Sequence, residues 1–331
     1  MIAIINDNLS CSLTDTFVEN NSQVIQVILI SVEMSLIPKI SRILHFDKPM
    51  VPCVTPFKKD GTIDHSVIGS YASYLNTNGV RGIFAHGTTG EGLSLTSDEK
   101  KKLTETWLSE IRSNYPDWLG IFNVSATCIT ETIDQANHYD QLGVDAIAVL
   151  PPFFYRPAND GQLMKYLKTV SDAAPSTPLI FYHFPSMTHV NFRLKEFVSQ
   201  AKKEVPLLVG MKYTSVDMLE LTRFCTSQES KSFKIFTGNE QTLTPMMALG
   251  VKSAICAIFN FEMPVKGYNK MKTSFPENMD EVINVQEEMG DFAEKLREGS
   301  FIHNIKRKLD DLKLPNQPGF KVGPPRMPIV E

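Results

Sequence analysis

The chain predicts an α/β fold, a (β/α)8 barrel with extra C-terminal helices, on three observations. From Val51 onward, eight short apolar runs alternate with eight amphipathic stretches. Several runs are rich in Val, Ile and Phe and bounded by Gly or Pro, as strands buried on both faces should be. The residues able to do chemistry fall where those strands end. A doubly wound sheet is the rival architecture, but the count of units and the lack of a dinucleotide fingerprint favour the barrel.

In order, the strand candidates are Val51–Thr55, Arg81–His86, Leu119–Ser125, Asp145–Leu150, Pro178–Tyr182, Leu208–Tyr213, Lys234–Gly238 and Ser253–Phe259. The clearest helix opens at Thr96-Ser97-Asp98-Glu99, a capping box, and carries Leu103, Trp107 and Ile111 on one face. Other helical patterns run over Asp64–Asn76, Thr130–Leu142, Gly161–Ala174, Arg193–Lys203, Ser215–Ser227, Gln241–Leu249 and Pro264–Phe275. After the eighth unit, Asn278–Leu314 continues the helical pattern. Its charged face, with Asp291, Glu294, Lys295 and Arg297, reads as solvated surface. The tail Pro315–Glu331 is rich in Pro and Gly and is expected to wander over the surface.

Residues 1–50 read as an N-terminal extension outside the barrel, disordered or appended, leaving residues 51–331 as the barrel with its helical extension. The apolar run Val24–Val32 is too short to span a bilayer, and the acidic residues before it do not suit a signal peptide. A chain beginning at Met50 is therefore expected to fold like the full chain.

Composition excludes several classes of function. A hydrophobic content of 42% describes a soluble globular protein with a sizeable core. A net charge of −4 with no Lys/Arg stripe argues against nucleic acid as a partner. The five cysteines are scattered and odd in number, which points to a reducing, cytoplasmic setting and against a disulfide scaffold or zinc site. The histidines show no metal-ligand spacing, so neither a metal nor another cofactor is expected.

Lys212 closes the buried run Val205–Thr214. Burying an ammonium disfavours its charged form, and a free amine in a dry pocket is the nucleophile that makes Schiff bases with carbonyl compounds. The bland alternative is a lysine whose head escapes to water. Gly87-Thr88-Thr89-Gly90-Glu91-Gly92 follows the second strand; its glycines let backbone approach a ligand, and its hydroxyls suit a carboxylate. As a plain βα turn, the same residues would serve local hydrogen bonding. Tyr182 ends the fifth strand, where a tyrosine beside an imine-forming lysine can shuttle protons. Its bland alternative is a buried phenol that finds a hydrogen-bond partner.

Taken together, Gly87-Thr88-Thr89-Gly90-Glu91-Gly92, Phe181-Tyr182-His183-Phe184-Pro185 and Gly210-Met211-Lys212-Tyr213-Thr214 resemble the dihydrodipicolinate synthase/N-acetylneuraminate lyase family of class I aldolases. The likeness runs from about Val51 to Val322-Gly323-Pro324-Pro325-Arg326-Met327-Pro328. Within it, Met187 stands where the synthase branch carries a carboxylate-binding arginine, which favours the lyase branch. The resemblance implies that Lys212 forms the imine, Tyr182 moves the proton, and Thr88 and Thr89 hold the carboxylate of pyruvate or the keto acid. It further implies that Thr214, Gly238, Glu240, Gln241 and Ala257 line the sugar side. The implied reaction is the reversible cleavage of N-acetylneuraminate, a sialic acid, to N-acetylmannosamine and pyruvate by a homotetramer.

Five positions depart from the usual lyase pattern. Glu240 replaces aspartate, Gln241 glutamate, Ala257 serine, Cys256 glycine and His86 asparagine. These changes spare the covalent machinery but alter the wall expected to meet the polyol tail, so weaker binding of N-acetylneuraminate is expected. Two alternatives stay open: an aldolase for another 2-keto-3-deoxy sugar acid, or a barrel that binds keto acids without turnover.

Overall fold

The computed structural model describes residues 36–312 and 320–328. Residues 36–45 form a helix, α1. The strands that follow are β1 (Pro49–Met50), β2 (Gly82–Ala85), β3 (Leu119–Asn123), β4 (Ala146–Val149), β5 (Leu179–His183), β6 (Leu208–Tyr213), β7 (Lys234–Thr237) and β8 (Ala254–Ile255). Between them lie α2 (Ile68–Thr77), α3 (Ser97–Asn114), α4 (Ile129–Leu142), α5 (Asp160–Asp172), the short α6 (Pro185–Thr188), α7 (Leu194–Glu204), α8 (Met218–Cys225) and α9 (Leu243–Ala248). Helices α10 (Glu262–Ser274), α11 (Met279–Arg297) and α12 (Phe301–Asp310) follow the last strand. None of the described helices is long and apolar enough to cross a membrane.

All eight strands are parallel, in the order β1-β8-β7-β6-β5-β4-β3-β2. The ring closes between β1 and β2: Val51 N–H donates to Gly82 O at 3.0 Å, and Phe84 N–H donates to Val51 O at 2.8 Å. The barrel expected from the sequence is thus the fold observed.

Strand periodicity sorts the core into two layers. Phe84, Ile121, Ala146, Ala148, Ile180, Tyr182, Phe236 and Ile255 fill the barrel interior. Their neighbours Ile83, Phe122, Ile147, Phe181, Met211 and Ile235 pack outward under the helices. The capping box predicted at Thr96 is complete: the Thr96 hydroxyl accepts from Glu99 N–H, and the Glu99 carboxylate accepts from Thr96 N–H. The strands are shorter than the apolar runs. The eighth run, for example, leaves the sheet after Ile255 and turns through Ala257–Asn260, where the buried Asn260 amide donates to Ala257 O at 2.8 Å.

Two expectations are corrected. The boundary placed at Val51 falls inside the fold, since β1 begins at Pro49 and α1 packs across the bottom of the barrel. Ile43 and Phe46 join the interior layer, Lys234 Nζ donates to Leu44 O at 3.0 Å, and Arg42 pairs with Asp145 at 2.6 Å. The preceding apolar run Val24–Val32 lies outside the described residues. The tail does not wander over 320–328 either. Phe320 and Val322 are buried, Phe57 N–H donates to Val322 O at 3.0 Å, and Arg326 pairs with Glu99 at 2.6 Å. A Pro- and Gly-rich composition excludes regular secondary structure, but it does not prevent single side chains from packing.

A chain beginning at Met50 should therefore melt below one beginning at Met34, which keeps the whole described structure. Losing Ile43 and Phe46 forfeits ~1.5–3 kcal/mol each and leaves barrel-bottom surface uncovered. Equal melting temperatures for the two lengths would show that α1 contributes nothing.

Candidate active site

Lys212 and Tyr182 are brought together by strand register. In β5 and β6, Leu179 pairs with Leu208 but Ile180 pairs with Gly210, so β6 carries one extra residue at a bulge. Past it, Tyr182 pairs with Lys212. Paired residues of adjacent strands share a face, so both side chains enter the barrel. Met211 and Tyr213 point to the outer layer. Without the bulge, Tyr182 would face Met211 instead.

The Lys212 side chain is buried, with Nζ 4.2 Å from the centre of the Tyr182 ring and 4.3 Å from that of Phe84. It does not escape to water. The Tyr182 hydroxyl lies 3.1 Å from the Thr88 hydroxyl, joining the tyrosine to the Gly87–Gly92 loop. That loop is tightly folded: a Cβ on Gly92 would sit 1.8 Å from His86 O. Gly238 is equally constrained, since a Cβ there would lie 2.0 Å from Thr214 Oγ1 and 3.2 Å from the Lys212 side chain. Thr214 Oγ1 is itself buried without a hydrogen-bond partner, a hydroxyl left free at the cavity wall.

One cavity of about 490 Å³ gathers the nine residues expected to catalyse or to bind substrate: Lys212, Tyr182, Thr88, Thr89, Thr214, Gly238, Glu240, Gln241 and Ala257. It lies at the carboxyl ends of the strands. A second, more apolar cavity of about 360 Å³ shares Thr88, Phe184 and Ile302 with it. Met187 lines that neighbour, while Ser186 lines the first.

The histidines flanking the motifs are packed neutral rings. Burial pushes His86 down to about 3, helped by the nearby Lys100 charge, and pushes His183 down to about 4. His86 Nε2 lies 2.8 Å from Thr104 Oγ1, and its backbone takes the left-handed φ of 58° at which the chain turns into Gly87. Among the described residues, no group of three His, Cys, Asp or Glu side chains is arranged to hold a metal ion.

The C-terminal helices were read as solvated surface, and this is corrected for Arg297. It ends α11, lines the cavity, and pairs with the buried carboxylate of Glu240. Phe301 and Ile302 of α12 line the same mouth. Gln241 is also tied to α11, its amide donating to Glu294 at 3.3 Å. The only signal for these contacts in the sequence was a charged helix face, which looks the same whether it meets solvent or a neighbouring loop.

An inward lysine register-paired with a tyrosine, beneath a hydroxyl-bearing loop at the mouth of a closed parallel barrel, defines the class: a (β/α)8 barrel of the aldolase type. The chain belongs to the dihydrodipicolinate synthetase family, whose model matches residues 45–331. It is 31% identical over 283 residues to the N-acetylneuraminate lyase of Gallus gallus, covering 84% of this chain and 88% of the relative. It is 30% identical over 278 residues to that of Mus musculus, covering 83% and 84%. Among solved structures, Proteus mirabilis N-acetylneuraminate lyase superposes with a TM-score of 0.78 at 26% identity, covering 86% of this chain and 92% of that one.

The Gln241–Glu294 contact carries a prediction. Gln241→Glu should lower the melting temperature by the equivalent of about 1 kcal/mol, because it sets two partly exposed carboxylates against each other. Adding Glu294→Gln should restore it. A double-mutant cycle with no coupling would show that the two side chains act independently.

Proposed function

We propose that this chain is a Schiff-base aldolase that cleaves N-acetylneuraminate reversibly to N-acetylmannosamine and pyruvate. The observation that carries the reading is the Lys212–Tyr182–Thr88 arrangement at the floor of the cavity. Likeness to lyases at about 30% identity across most of both chains supports the choice of substrate.

The open-chain sugar acid enters with its carboxylate toward Thr88 and Thr89. The Lys212 amine adds to the 2-keto carbon, and loss of water gives an iminium. That cation accepts the electron pair when the bond between carbons three and four breaks. Tyr182 takes the proton from the hydroxyl on the fourth carbon, and N-acetylmannosamine leaves as the aldehyde. The remaining enamine is protonated at carbon three and hydrolysed, freeing pyruvate and the amine. The hydrogen bond between Tyr182 and Thr88 holds the phenol beside the substrate carboxylate and keeps it oriented for proton transfer. Cavity size is compatible with a nine-carbon acid, since small-molecule sites commonly span ~300–1,000 Å³.

On the distal side, Glu240 serves the polyol as an ion pair with Arg297 rather than as a free carboxylate. Thr214 offers its unpaired hydroxyl, and Ala257 offers none. A different 2-keto-3-deoxy sugar acid is the second reading, favoured by Ala257 and by Gln241, whose amide is engaged with Glu294.

The same reading places the enzyme in the cytoplasm, consistent with the free Cys53, Cys128, Cys225 and Cys256. It also makes the enzyme a homotetramer. The exposed aromatic pair Phe154 and Tyr155, in the loop after β4, offers apolar surface for a subunit contact.

Incubation with pyruvate and borohydride should add a reduced pyruvyl group to the peptide carrying Lys212, and pyruvate should appear when the protein meets N-acetylneuraminate. An adduct on another lysine, or labelling that persists in Lys212→Ala, defeats the assignment.

Tyr182→Phe should still form the labelled imine while slowing cleavage by roughly a hundredfold or more, the scale of a positioned proton transfer. Near-normal turnover would remove Tyr182 from the mechanism.

A further inference from the structure

Behind the Thr88–Thr89 loop lies a buried ion pair that the reaction does not use. Glu91 has a left-handed backbone, φ 54°, which is unfavourable for a residue with a side chain. Its Oε1 lies 2.6 Å from Lys306 Nζ of α12, and both side chains are sealed from solvent at 0% and 1% exposure. Its Oε2 accepts the backbone N–H of Arg326 at 2.7 Å. Taking two charges out of water costs several kcal/mol per ion, so the pair persists only with good geometry and further partners.

Those partners come from the C-terminal segment and the chain after β1. Lys306 Nζ donates to Pro324 O at 3.0 Å and sits 4.3 Å from the centre of the Phe57 ring. The Arg326 guanidinium lies 4.5 Å from the same ring and pairs with Glu99 at the head of α3. The loop is gripped from below as well, the Thr55 hydroxyl donating to Gly90 O at 2.6 Å. Thr88 and Thr89 are thus three and two residues from a charged anchor that does not line the cavity holding Lys212.

We infer that Glu91 is a positioning residue: its ion pair with Lys306 holds the Thr88 and Thr89 hydroxyls where they meet the substrate carboxylate. The C-terminal segment thereby sets affinity for 2-keto acids. The inference rests on the proposed binding of the keto-acid carboxylate by these threonines. Two physical effects follow from the pair. It fixes the strained turn, and it cancels a carboxylate charge that would otherwise lie buried behind a site for another carboxylate. Lys306 is drawn down to about 8, first by burial, against the opposing pull of Glu91 and Asp310 and with a further lowering from Arg326. The anchor therefore weakens as pH rises through that value, leaving Glu91 uncompensated.

The test is the pyruvate concentration giving half-maximal borohydride labelling of Lys212, read beside the melting temperature. Glu91→Gln should raise it by about tenfold, the lower end of the ~10–100-fold by which supporting partners tune a site, with labelling at saturation unchanged. Adding Lys306→Met removes the lysine charge stranded by Glu91→Gln, so the melting temperature should recover while half-saturation stays raised. Recovery of both together would make the pair merely structural and overturn the inference. Should Glu91→Gln fail to fold, the unmutated chain and Lys306→Arg are compared over about pH 7–9.5. Half-saturation should climb through about 8 in the former and lack that step in the latter, whose guanidinium does not titrate there. Identical profiles overturn it. Labelling with half-saturation unchanged in every variant defeats this inference alone; no labelling of the unmutated chain defeats the aldolase reading, and this one with it.

Discussion

The register of β5 against β6 is the constraint on which the site depends. A parallel sheet alternates its side chains with period two, so an offset of one residue exchanges the interior for the helix layer. The bulge between Leu208 and Gly210 supplies that offset once, and it turns Lys212 toward Tyr182 and Phe84. Gly210 suits the crowding there, since a Cβ would lie 2.7 Å from Lys234 O. Closure of the ring does the rest. When eight parallel strands share one axis, their inward residues at the carboxyl end converge on one mouth. Lys212, Tyr182, Gly238 and Ala257 meet in this way although they are spread over four strand ends.

The second constraint is electrostatic. Lys212 and Glu240 line the cavity, and Glu91 lies behind its threonine loop. Lys212 lies against two aromatic faces at the cavity wall and, among the described residues, makes no salt bridge. Glu240 is neutralised by Arg297 from α11. Glu91 is neutralised by Lys306 from α12, outside the cavity wall that Lys212 occupies. Both pairings use the helices that follow the eighth unit, so the C-terminal extension belongs to the architecture of the candidate site. The wall it builds sets the departures at Gln241 and Ala257 in context: Gln241 belongs to a contact with Glu294, while Ala257 simply leaves space.

Much of this was legible before any coordinate. The alternation of apolar runs and amphipathic stretches fixes the class of fold, because strands buried on both faces and helices buried on one have distinct periods. Lysine at the end of an apolar run is a weak signal alone, since its head can escape to water, and gains weight from the motifs at the neighbouring strand ends. The threonine–glycine loop and Tyr182 were visible for the same reason, as polar residues set at strand ends. Less was legible at the termini. Residues 36–50 looked detached because their apolar residues, Ile43, Phe46 and Met50, form no run, yet each fills the bottom of the barrel.

By itself, then, the sequence determined the barrel and singled out the candidate residues: Lys212, Tyr182 and the threonine–glycine loop. These are written locally, in periodicity and in polar residues placed where burial would exclude them. Tertiary structure alone decided the bulge that aligns Lys212 with Tyr182, the pairing of Glu240 with Arg297, and the burial of Glu91 against Lys306. The partners in those contacts lie tens or hundreds of residues apart, or differ by a single residue of register. Local patterns carry no information about which distant charge will fold back to meet another, because a helix face of alternating charge has the same sequence whether it faces water or an active site.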